Sequence, residues 1–507
     1  MTRDRARFTA ADQRAFARLS GDRNPVHLDA SAARRVVAGE PIVHGVHLLL
    51  RMIEAHFGEA SSRGPSTGRS SSRSDTGRVS IAIAFRQPAL VGERIRFTRD
   101  SEGRLAAQAE GGATLALATI APTPAAAVGA TSAGRGFQPR LGGPERATLH
   151  GFDRARAAKP PRGSRVRTAA DLEGAAGAMA TPAAPPIARA FPRAARALGA
   201  DVVAAIAGLS ALVGMEIPGR DSLLSAIRID VAPRDRPKRI DWRVERVDGR
   251  FHLVTIAVDG AGIAGTIDAF LRPAPPAPAT IAGAAARVGP FELAGARALI
   301  VGGSRGLGAA TATLIAAGGG AAIVTYALGK SETASMQREA RSAGRAIAAL
   351  RIDVRAPGAS KAVRDAIARF GVTQLYYFAS PRIFVRRRGP FDETLFERFA
   401  EFYVSAFARI SAAALDAAPS LTVFYPSTVA IDDVPADLTE YATAKAAGEC
   451  VCRALAEEHR RARIIVRRLP RISTDQTTSI LAAPALDPFD AMLPIVREMH
   501  HARAGVA

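Results

Sequence analysis

The sequence predicts an α+β region followed by an α/β domain built on a doubly wound parallel sheet. Three observations carry this reading. From residue 289 onward, short apolar runs suited to strands alternate with helical runs. The first of those strands, Ala298–Val301, leads into the turn Val301-Gly-Gly-Ser-Arg-Gly-Leu-Gly308 and then an Ala-rich helix, the context in which backbone N–H groups cradle a phosphate. Upstream, a long apolar helical pattern followed by four strand-like runs occurs twice.

Length and composition set bounds. A chain of 507 residues has room for about three domains, each able to bury its own core. No window of eighteen apolar residues occurs and the N-terminus opens on charge, so neither a membrane span nor a signal peptide is expected and the cytoplasm is the expected compartment. The two cysteines, Cys450 and Cys452, are two apart on an expected helix and point to different sides, which argues against a mutual disulfide or a metal site. The net charge of +21 would ordinarily raise nucleic acid as a partner. Lysine occurs only at Lys159, Lys238, Lys330, Lys361 and Lys445, the arginines are dispersed, and aromatic content is 6%. No stacking platform for bases emerges; a polyanionic small ligand or an acidic carrier protein would use the same field.

In residues 1–122 a helical pattern at Ala11–Leu19 precedes the loop Ser20-Gly-Asp-Arg-Asn-Pro-Val-His-Leu-Asp29. Then comes Pro41-Ile-Val-His-Gly-Val-His-Leu-Leu-Leu50, continuing amphipathically to Phe57 as a long central helix. Glu59–Arg78, rich in Ser, Gly and Arg, reads as a disordered insertion. Strands are expected at Val79–Phe85, Arg94–Thr98, Leu105–Glu110 and Thr114–Ile120. The loop S-G-D-x-N-P-x-H-x-D, with His-Gly at the helix start, resembles the MaoC-like, R-specific enoyl-thioester hydratases. That resemblance implies a hot-dog fold, a sheet wrapped around one long helix, and implies that Asp22 and His27 hold and activate the water added across, or lost from, a double bond. The chemistry is coherent in itself. A carboxylate and an imidazole on one proline-stiffened loop can share a water, and N–H groups at a helix start around Gly45 can stabilise an enolate oxygen. The plain alternative is that Asp22 caps a turn with Asn24-Pro25 at its corner while His27 packs in the loop. His44 and His47, three apart on the helix, mimic a metal pair, but with no third ligand evident a structural role is expected and no metal.

Residues 123–190 are Ala, Gly, Pro and Arg with little periodicity and read as a largely irregular linker holding at most one short helix. In residues 191–272 an apolar helix at Ala200–Val213 precedes strands at Ala226–Val231, Arg239–Val247, Arg250–Val258 and Ile263–Leu271. This looks like a second hot-dog repeat without the catalytic loop, and the resemblance implies that it supports the first and helps line an acyl tunnel. Residues 273–288, opening with Pro273-Ala-Pro-Pro-Ala-Pro278, form a stiff linker.

In residues 289–507 strands are expected at Ala298–Val301, Ala321–Tyr326, Ala348–Ile352, Gln374–Ala379, Leu421–Tyr425 and Arg463–Arg468, with helices from Gly306 and Ser331 and one carrying Tyr441 to His459. A Rossmann-like sheet of this kind binds its ligand at the carboxyl ends of its strands. In Tyr441-Ala-Thr-Ala-Lys445 the two polar residues are four apart and share a helix face. A lysine ammonium beside a phenol favours the phenolate and lowers a pKa that starts near 10. The glycine spacing Gly302, Gly306, Gly308 together with Tyr441 and Lys445 resembles the short-chain dehydrogenase/reductase family. The resemblance implies that Gly302, Ser304, Arg305, Gly306, Leu307, Gly308, Tyr326, Asp353, Val354, Ala379, Pro470 and Thr474 contact a nicotinamide cofactor. It places the family's catalytic serine on Ser427 or Thr428 and its catalytic asparagine on Tyr403 or Val404, and it finds no counterpart of the family's last strand, so a standard tetramer interface is not expected and a homodimer is open. No acid follows the second strand; Tyr326, Lys330 and Arg305 occupy that region, which favours NADP(H) with NAD(H) second.

Two functions follow. One is a bifunctional enzyme that reduces a 3-oxoacyl thioester and dehydrates the 3-hydroxyacyl product, or runs the hydration in reverse, on coenzyme A or an acyl carrier protein. The other is a hydratase carrying a degenerate, non-catalytic reductase scaffold.

Overall fold

The computed structural model describes residues 5–36, 39–60, 78–123, 168–231, 238–273, 276–385, 390–477 and 483–504. Most of the expected insertion and linker, residues 61–77 and 124–167, lies outside them. The chain divides into two units, one of Met1–Ala33 with Glu40–Ala274, the other of Arg34–Gly39 with Pro275–Ala507.

The first unit holds one antiparallel sheet. Its strands are β1 (Arg5–Arg7), β2 (Val79–Phe85), β3 (Arg94–Arg99), β4 (Leu105–Ala109), β5 (Thr114–Pro122), β6 (Ala176–Ala180), β7 (Ser222–Val231), β8 (Arg239–Asp248), β9 (Leu253–Gly260) and β10 (Ile263–Leu271). They lie in the order β1-β3-β4-β5-β2-β7-β10-β9-β8-β6. Read outward from the central pair, β2-β5-β4-β3-β1 and β7-β10-β9-β8-β6 follow the same connectivity. In each half the strand before the long helix ends at an edge and the first strand after it lies at the centre. The centre is joined by β-branched pairs such as Ile81 opposite Ile229 and Ile83 opposite Ile227, which pack well on a pleated surface. The long helices Gly45–Ala60 and Ala200–Ala211 share one core: Val46, Leu49, Leu50 and Ile53 on the first, and Val203, Ala205, Ile206 and Leu209 on the second, are wholly buried. A helix apolar on nearly every side must be covered on every side. Residues 168–190, expected to be irregular, contain the helix Ala169–Leu172, strand β6 and the helix Ala184–Ala190. Strand β6 reads Ala-Gly-Ala-Met-Ala, without alternation or β-branching, so its identity comes from pairing with β8 rather than from local pattern.

The second unit holds a parallel sheet of β11 (Arg297–Val301), β12 (Ala321–Tyr326), β13 (Ile347–Arg351), β14 (Gln374–Tyr377), β15 (Thr422–Thr428) and β16 (Arg463–Leu469). Its order, β13-β12-β11-β14-β15-β16, reverses direction between β11 and β14, and ligands of such sheets bind at that switch point. Helix Gly306–Ala317 is buried along almost its whole length. Part of its cover is the helix Pro488–Ala504, which no pattern announced because Pro488 and Pro494 interrupt it. That helix contributes Phe489, Met492, Val496 and Met499 to the core, and Gln374 Nε2 donates to Met499 O at 3.1 Å. Among the described residues no single helix is long and apolar enough to cross a membrane; the bent pair Pro192–Leu198 and Ala200–Glu216 passes on length and composition, and most of its residues are core of the first unit.

Candidate active sites

In the first unit the predicted loop converges on Asp22. Ser20 Oγ, itself bonded to Phe16 O at 2.8 Å, accepts from Asp22 N at 3.2 Å, so the end of helix Ala10–Ser20 aims the aspartate. Asp22 Oδ1 accepts from Asn24 N at 3.0 Å. Asn24 caps the short helix Pro25–Leu28 and donates through Nδ2 to Arg220 O at 2.9 Å and Gly214 O at 3.3 Å. The loop is thereby tied to both halves of the sheet unit. His27 Nδ1 donates to Ile42 O at 2.8 Å, which leaves Nε2 as a lone pair 4.0 Å from Asp22 Oδ2.

Two contributors, Ser210 and Gly214, were not singled out from sequence, and a third, His44, was given another role. Ser210 Oγ donates to Asp22 Oδ2 at 2.7 Å; its one hint was a hydroxyl in the apolar run Val202–Val213. A Cβ on Gly214 would stand 2.6 Å from Asp22 Oδ1, so glycine is what lets this backbone approach the carboxylate. His44, expected to be structural, stacks on His27 with ring centroids 3.8 Å apart and brings Nε2 to 3.9 Å from Asp22 Oδ2. His47 turns elsewhere, stacking on Phe16. Burial dominates the titration. It raises the Asp22 carboxyl above its ordinary value against the opposing pull of His27, Ser210 and Asn24, and it lowers His27 against the opposing pull of Asp22. Gly45 is the first residue of helix Gly45–Ala60, with Leu224 and Phe85 packed where a side chain would begin.

In the second unit Gly302 takes φ +81°, and a Cβ there would meet Ala379 N at 2.7 Å; one on Gly308 would meet Gly302 O at 2.5 Å. Glycine at both positions lets the turn close on the start of helix Gly306–Ala317, whose N-terminal N–H groups suit a phosphate. Thr474 lies over Gly306, its Cγ2 3.6 Å from where a Cβ would begin. Pro470 directly follows β16. Arg305 does not simply face solvent: Nη1 donates to Arg34 O at 2.9 Å and lies 3.7 Å from Asp475 Oδ2. Glu332, unnoticed in the sequence, pairs with Arg34 at 3.2 Å. Ser304 packs against Gly329, Leu307 joins the core around helix Gly306–Ala317, and Val354 is buried. Asp353 is gripped by Arg355, whose Nε and Nη2 reach its two oxygens at 3.1 and 3.0 Å. Tyr326 ends β12 half-buried.

The helix that carries Tyr441 and Lys445, Thr439–Glu458, departs from expectation in one respect. Lys445 Nζ donates to Pro426 O at 2.6 Å and sits over the ring of Tyr403 at 4.1 Å, of Tyr425 at 4.8 Å and of Tyr441 at 6.0 Å. Burial pulls this ammonium down to about 7, so near neutrality its charge is only partly held. The Tyr441 phenol is not lowered: burial pushes it up to about 12, and the hydroxyl of Thr428 is the group that opposes the rise. Strand alternation separates the two hydroxyl candidates, since Ser427 Oγ donates to Glu449 Oε1 at 2.6 Å while Thr428 meets Tyr441. Of Tyr403 and Val404, it is Tyr403 that lies beside the pair, its ring edge-on to Tyr441 at 5.6 Å and its hydroxyl 2.6 Å from Ser380 Oγ.

Residues 296–481 match the short chain dehydrogenase family and residues 1–103 match the MaoC like domain. Similar solved structures include a short chain dehydrogenase from Burkholderia cenocepacia J2315 in complex with NADP, 22% identical, covering 40% of this chain and 90% of that one with a TM-score of 0.36. An alcohol dehydrogenase from the archaeon Thermococcus sibiricus complexed with 5-hydroxy-NADP is 20% identical over 40% and 88% of the two chains, TM-score 0.36. A 3-oxoacyl (acyl-carrier-protein) reductase from Agrobacterium tumefaciens C58 with NADP bound is 20% identical over 41% and 89%, TM-score 0.37. No curated protein matches the chain.

Proposed function

We propose, for a chain that joins a MaoC-like domain to a short-chain dehydrogenase domain, that it couples NADPH-dependent reduction of a 3-oxoacyl thioester to dehydration of the 3-hydroxyacyl product, or runs the hydration in reverse. The observation that carries this reading is that each unit assembles its own proton-transfer group with a polar partner, Asp22 with His27 and Tyr441 with Thr428. We read the sheet unit as two hot-dog repeats, on its repeated strand order, with the second repeat lending Ser210 to the first.

In the first site the lone pair of His27 Nε2 and the Asp22 carboxylate face each other across 4.0 Å, a span one water bridges with a proton to each. In hydration the proton withdrawn from that water, as its oxygen bonds the β-carbon, is passed to the α-carbon of the enolate; in dehydration the same groups take the α-proton and return it to the departing hydroxyl, which leaves as water. The N–H groups at the Gly45 helix start lie at the positive end of that helix, where they would stabilise the thioester enolate. In the second site the glycine turn, Thr474 and the Arg305 corner fit a nicotinamide dinucleotide, which when bound supplies the hydride. Thr428 would hold the substrate carbonyl and Tyr441 would deliver a proton to the oxygen. A phenol held near 12 is protonated at neutral pH and more acidic than an alkoxide's conjugate acid, so it suits reduction better than oxidation. Arg305 and Lys330 favour the 2′-phosphate of NADP(H), with Glu332 and Asp475 partly offsetting them. The substrate is carried on coenzyme A or an acyl carrier protein, and the cytoplasm is the proposed compartment.

The replacement of the family's asparagine by Tyr403 favours a second reading, a hydratase with a non-catalytic dinucleotide-binding scaffold. Following NADPH oxidation with short 3-oxoacyl thioesters, beside hydration of the matching enoyl thioester, separates them. Turnover of both substrates is expected; hydration without NADPH oxidation would leave the scaffold.

A further inference from the structure

From the acceptors that converge around Asp22, we propose that Asp22, His27 and His44 form a site for a borderline divalent ion, Zn2+ in particular, and that this ion and the hydration water occupy it in turn. The three side chains each offer one ligand atom, and those atoms lie within 4.8 Å of one another.

The tautomers make this more than proximity. His27 Nδ1 faces the carbonyl of Ile42 at 2.8 Å, so Nδ1 carries the hydrogen and Nε2 the lone pair. For His44 the same conclusion comes through Gln13. Gln13 Oε1 accepts from the backbone N–H of His44 at 3.0 Å, a group that can only donate, so this end of the amide is the oxygen. His44 Nδ1 lies 2.7 Å from that oxygen and must donate to it. In the neutral ring His44 Nε2 is then a lone pair, and it faces Asp22 O at 3.2 Å and Asp22 Oδ2 at 3.9 Å, in a side chain that is 0% exposed; in the charged ring an N–H there would donate to Asp22 O. With both rings neutral and Asp22 ionised, two imidazole lone pairs, a carboxylate and a carbonyl point at one another, and the hydrogen that reaches the carboxylate comes from Ser210 Oγ. Such a cluster of acceptors calls for a cation or a doubly donating water.

Two imidazoles and a carboxylate are the donor set of zinc and its neighbours rather than of Mg2+ or Ca2+. Each ring is oriented through its other nitrogen, by Ile42 O and Gln13 Oε1, the outer-shell pattern that fixes metal-binding histidines. Ligand bonds of about 2.0–2.2 Å in tetrahedral geometry place ligand atoms about 3.4 Å apart, so the nitrogen-to-Oδ2 separations of 4.0 and 3.9 Å must shorten by about half an ångström, and the two rings, stacked at 3.8 Å with 26° between their planes, must turn until both lone pairs meet at one point. Binding of the ion stands on this geometry alone. Its consequence rests on the hydratase reading above: an ion that takes the lone pairs of Asp22 and His27 removes the groups that hold the water, so Zn2+ would block hydration while leaving reduction in the other unit untouched.

The test is titration of the full-length protein with Co2+, read by its visible ligand-field absorption, with hydration of an enoyl thioester measured beside it. We expect one equivalent bound with a tetrahedral spectrum, displaced by Zn2+. His44→Ala should abolish that spectrum. Gln13→Ala, which keeps all three ligands and releases the orientation of His44, along with a contact to His47 Nδ1 at 3.3 Å, should weaken binding by roughly 10- to 100-fold. Melting curves and NADPH oxidation confirm that the variants are folded. A spectrum unchanged in His44→Ala, or no tetrahedral Co2+ in the parent, overturns the site. If Co2+ binds as described but hydration is unaffected by Zn2+, mutual exclusion with the water is wrong and the site stands. If no hydration occurs at all while Co2+ binds, the hydratase reading fails and the ion site does not.

Discussion

The two candidate sites are both buried, and burial acts on them in different company. Around Asp22 and His27 it raises the acid and lowers the base, while fixed donors oppose it: Ser210 and the Asn24 amide hold the carboxylate, Ile42 holds the ring. Around Tyr441 and Lys445 the surroundings are aromatic. Tyr403, Tyr425 and Phe399 ring the pair, only Pro426 O accepts from the ammonium at hydrogen-bond distance in the contacts described, and the phenol and amine are driven apart to about 12 and about 7. A polar shell can hold a charge that burial would otherwise remove; an aromatic shell holds it less well. Desolvation sets the direction of the shifts at both sites; the first opposes it with several specific hydrogen bonds and an ion pair, the second with few.

If that contrast is right, removing a reacting group should silence one site without touching the other. Asp22→Asn replaces a carboxylate that takes a proton with an amide that cannot, and hydration should fall roughly 10²- to 10⁴-fold while NADPH oxidation continues. Tyr441→Phe should do the reverse, with a loss in reduction of the same order. Assaying both half-reactions in both variants gives the comparison; loss of both activities in folded Asp22→Asn protein would end the claim of two sites.

The next effect probes the polar shell itself. Ser210→Ala removes a charge-assisted hydrogen bond to Asp22, and such bonds are worth about 1.5–3 kcal/mol, so the ionised carboxylate should become harder to form. The acid limb of the pH profile for hydration should move to higher pH by roughly one to two units. A lower maximum rate with an unmoved limb would mean that Ser210 only packs.

How much of this was readable in advance divides along a physical line. Asp22, His27, the glycine turn and Tyr441 with Lys445 are clustered in sequence, because a loop or one helix face places them, and local spacing reveals such residues. The doubly wound parallel character of the second sheet followed from alternation; its strand order came from the structure. Ser210 and Gly214 reach Asp22 from about 190 residues away, and nothing local marks a serine on an apolar helix as a partner. Gln13 reads as a surface residue of an amphipathic helix until the fold buries it against His44. Strand β6 and the helix Pro488–Ala504 escaped for the opposite reason: their own sequences carry weak or interrupted patterns, and tertiary pairing overrides them. The expected effect of Lys445 on Tyr441 followed correct helix geometry but left out burial, which only the packed structure supplies.

The aromatic shell makes a smaller claim, on stability and its pH dependence. Lys445 titrates near 7 in the folded protein and near 10.4 when unfolded. Between those values the unfolded chain holds a proton that the folded one lacks, so this residue makes stability rise with pH across the window, by at most about 1.4 kcal/mol per unit. Lys445→Met keeps the length and apolar contacts and has no proton to bind. The variant should therefore be more stable than the parent near pH 7, and its advantage should shrink as the pH approaches 10, because the parent recovers what burying its charge cost. Denaturant melts of both proteins at several pH values, with the second unit followed by nucleotide-independent far-ultraviolet and tyrosine signals, measure that difference. Tyrosines shared by both proteins cancel in the subtraction. A difference that stays constant from pH 7 to 10 would show that Lys445 keeps its charge inside the aromatic cage, held by Pro426 O and the three rings, and the two sites would then be governed alike.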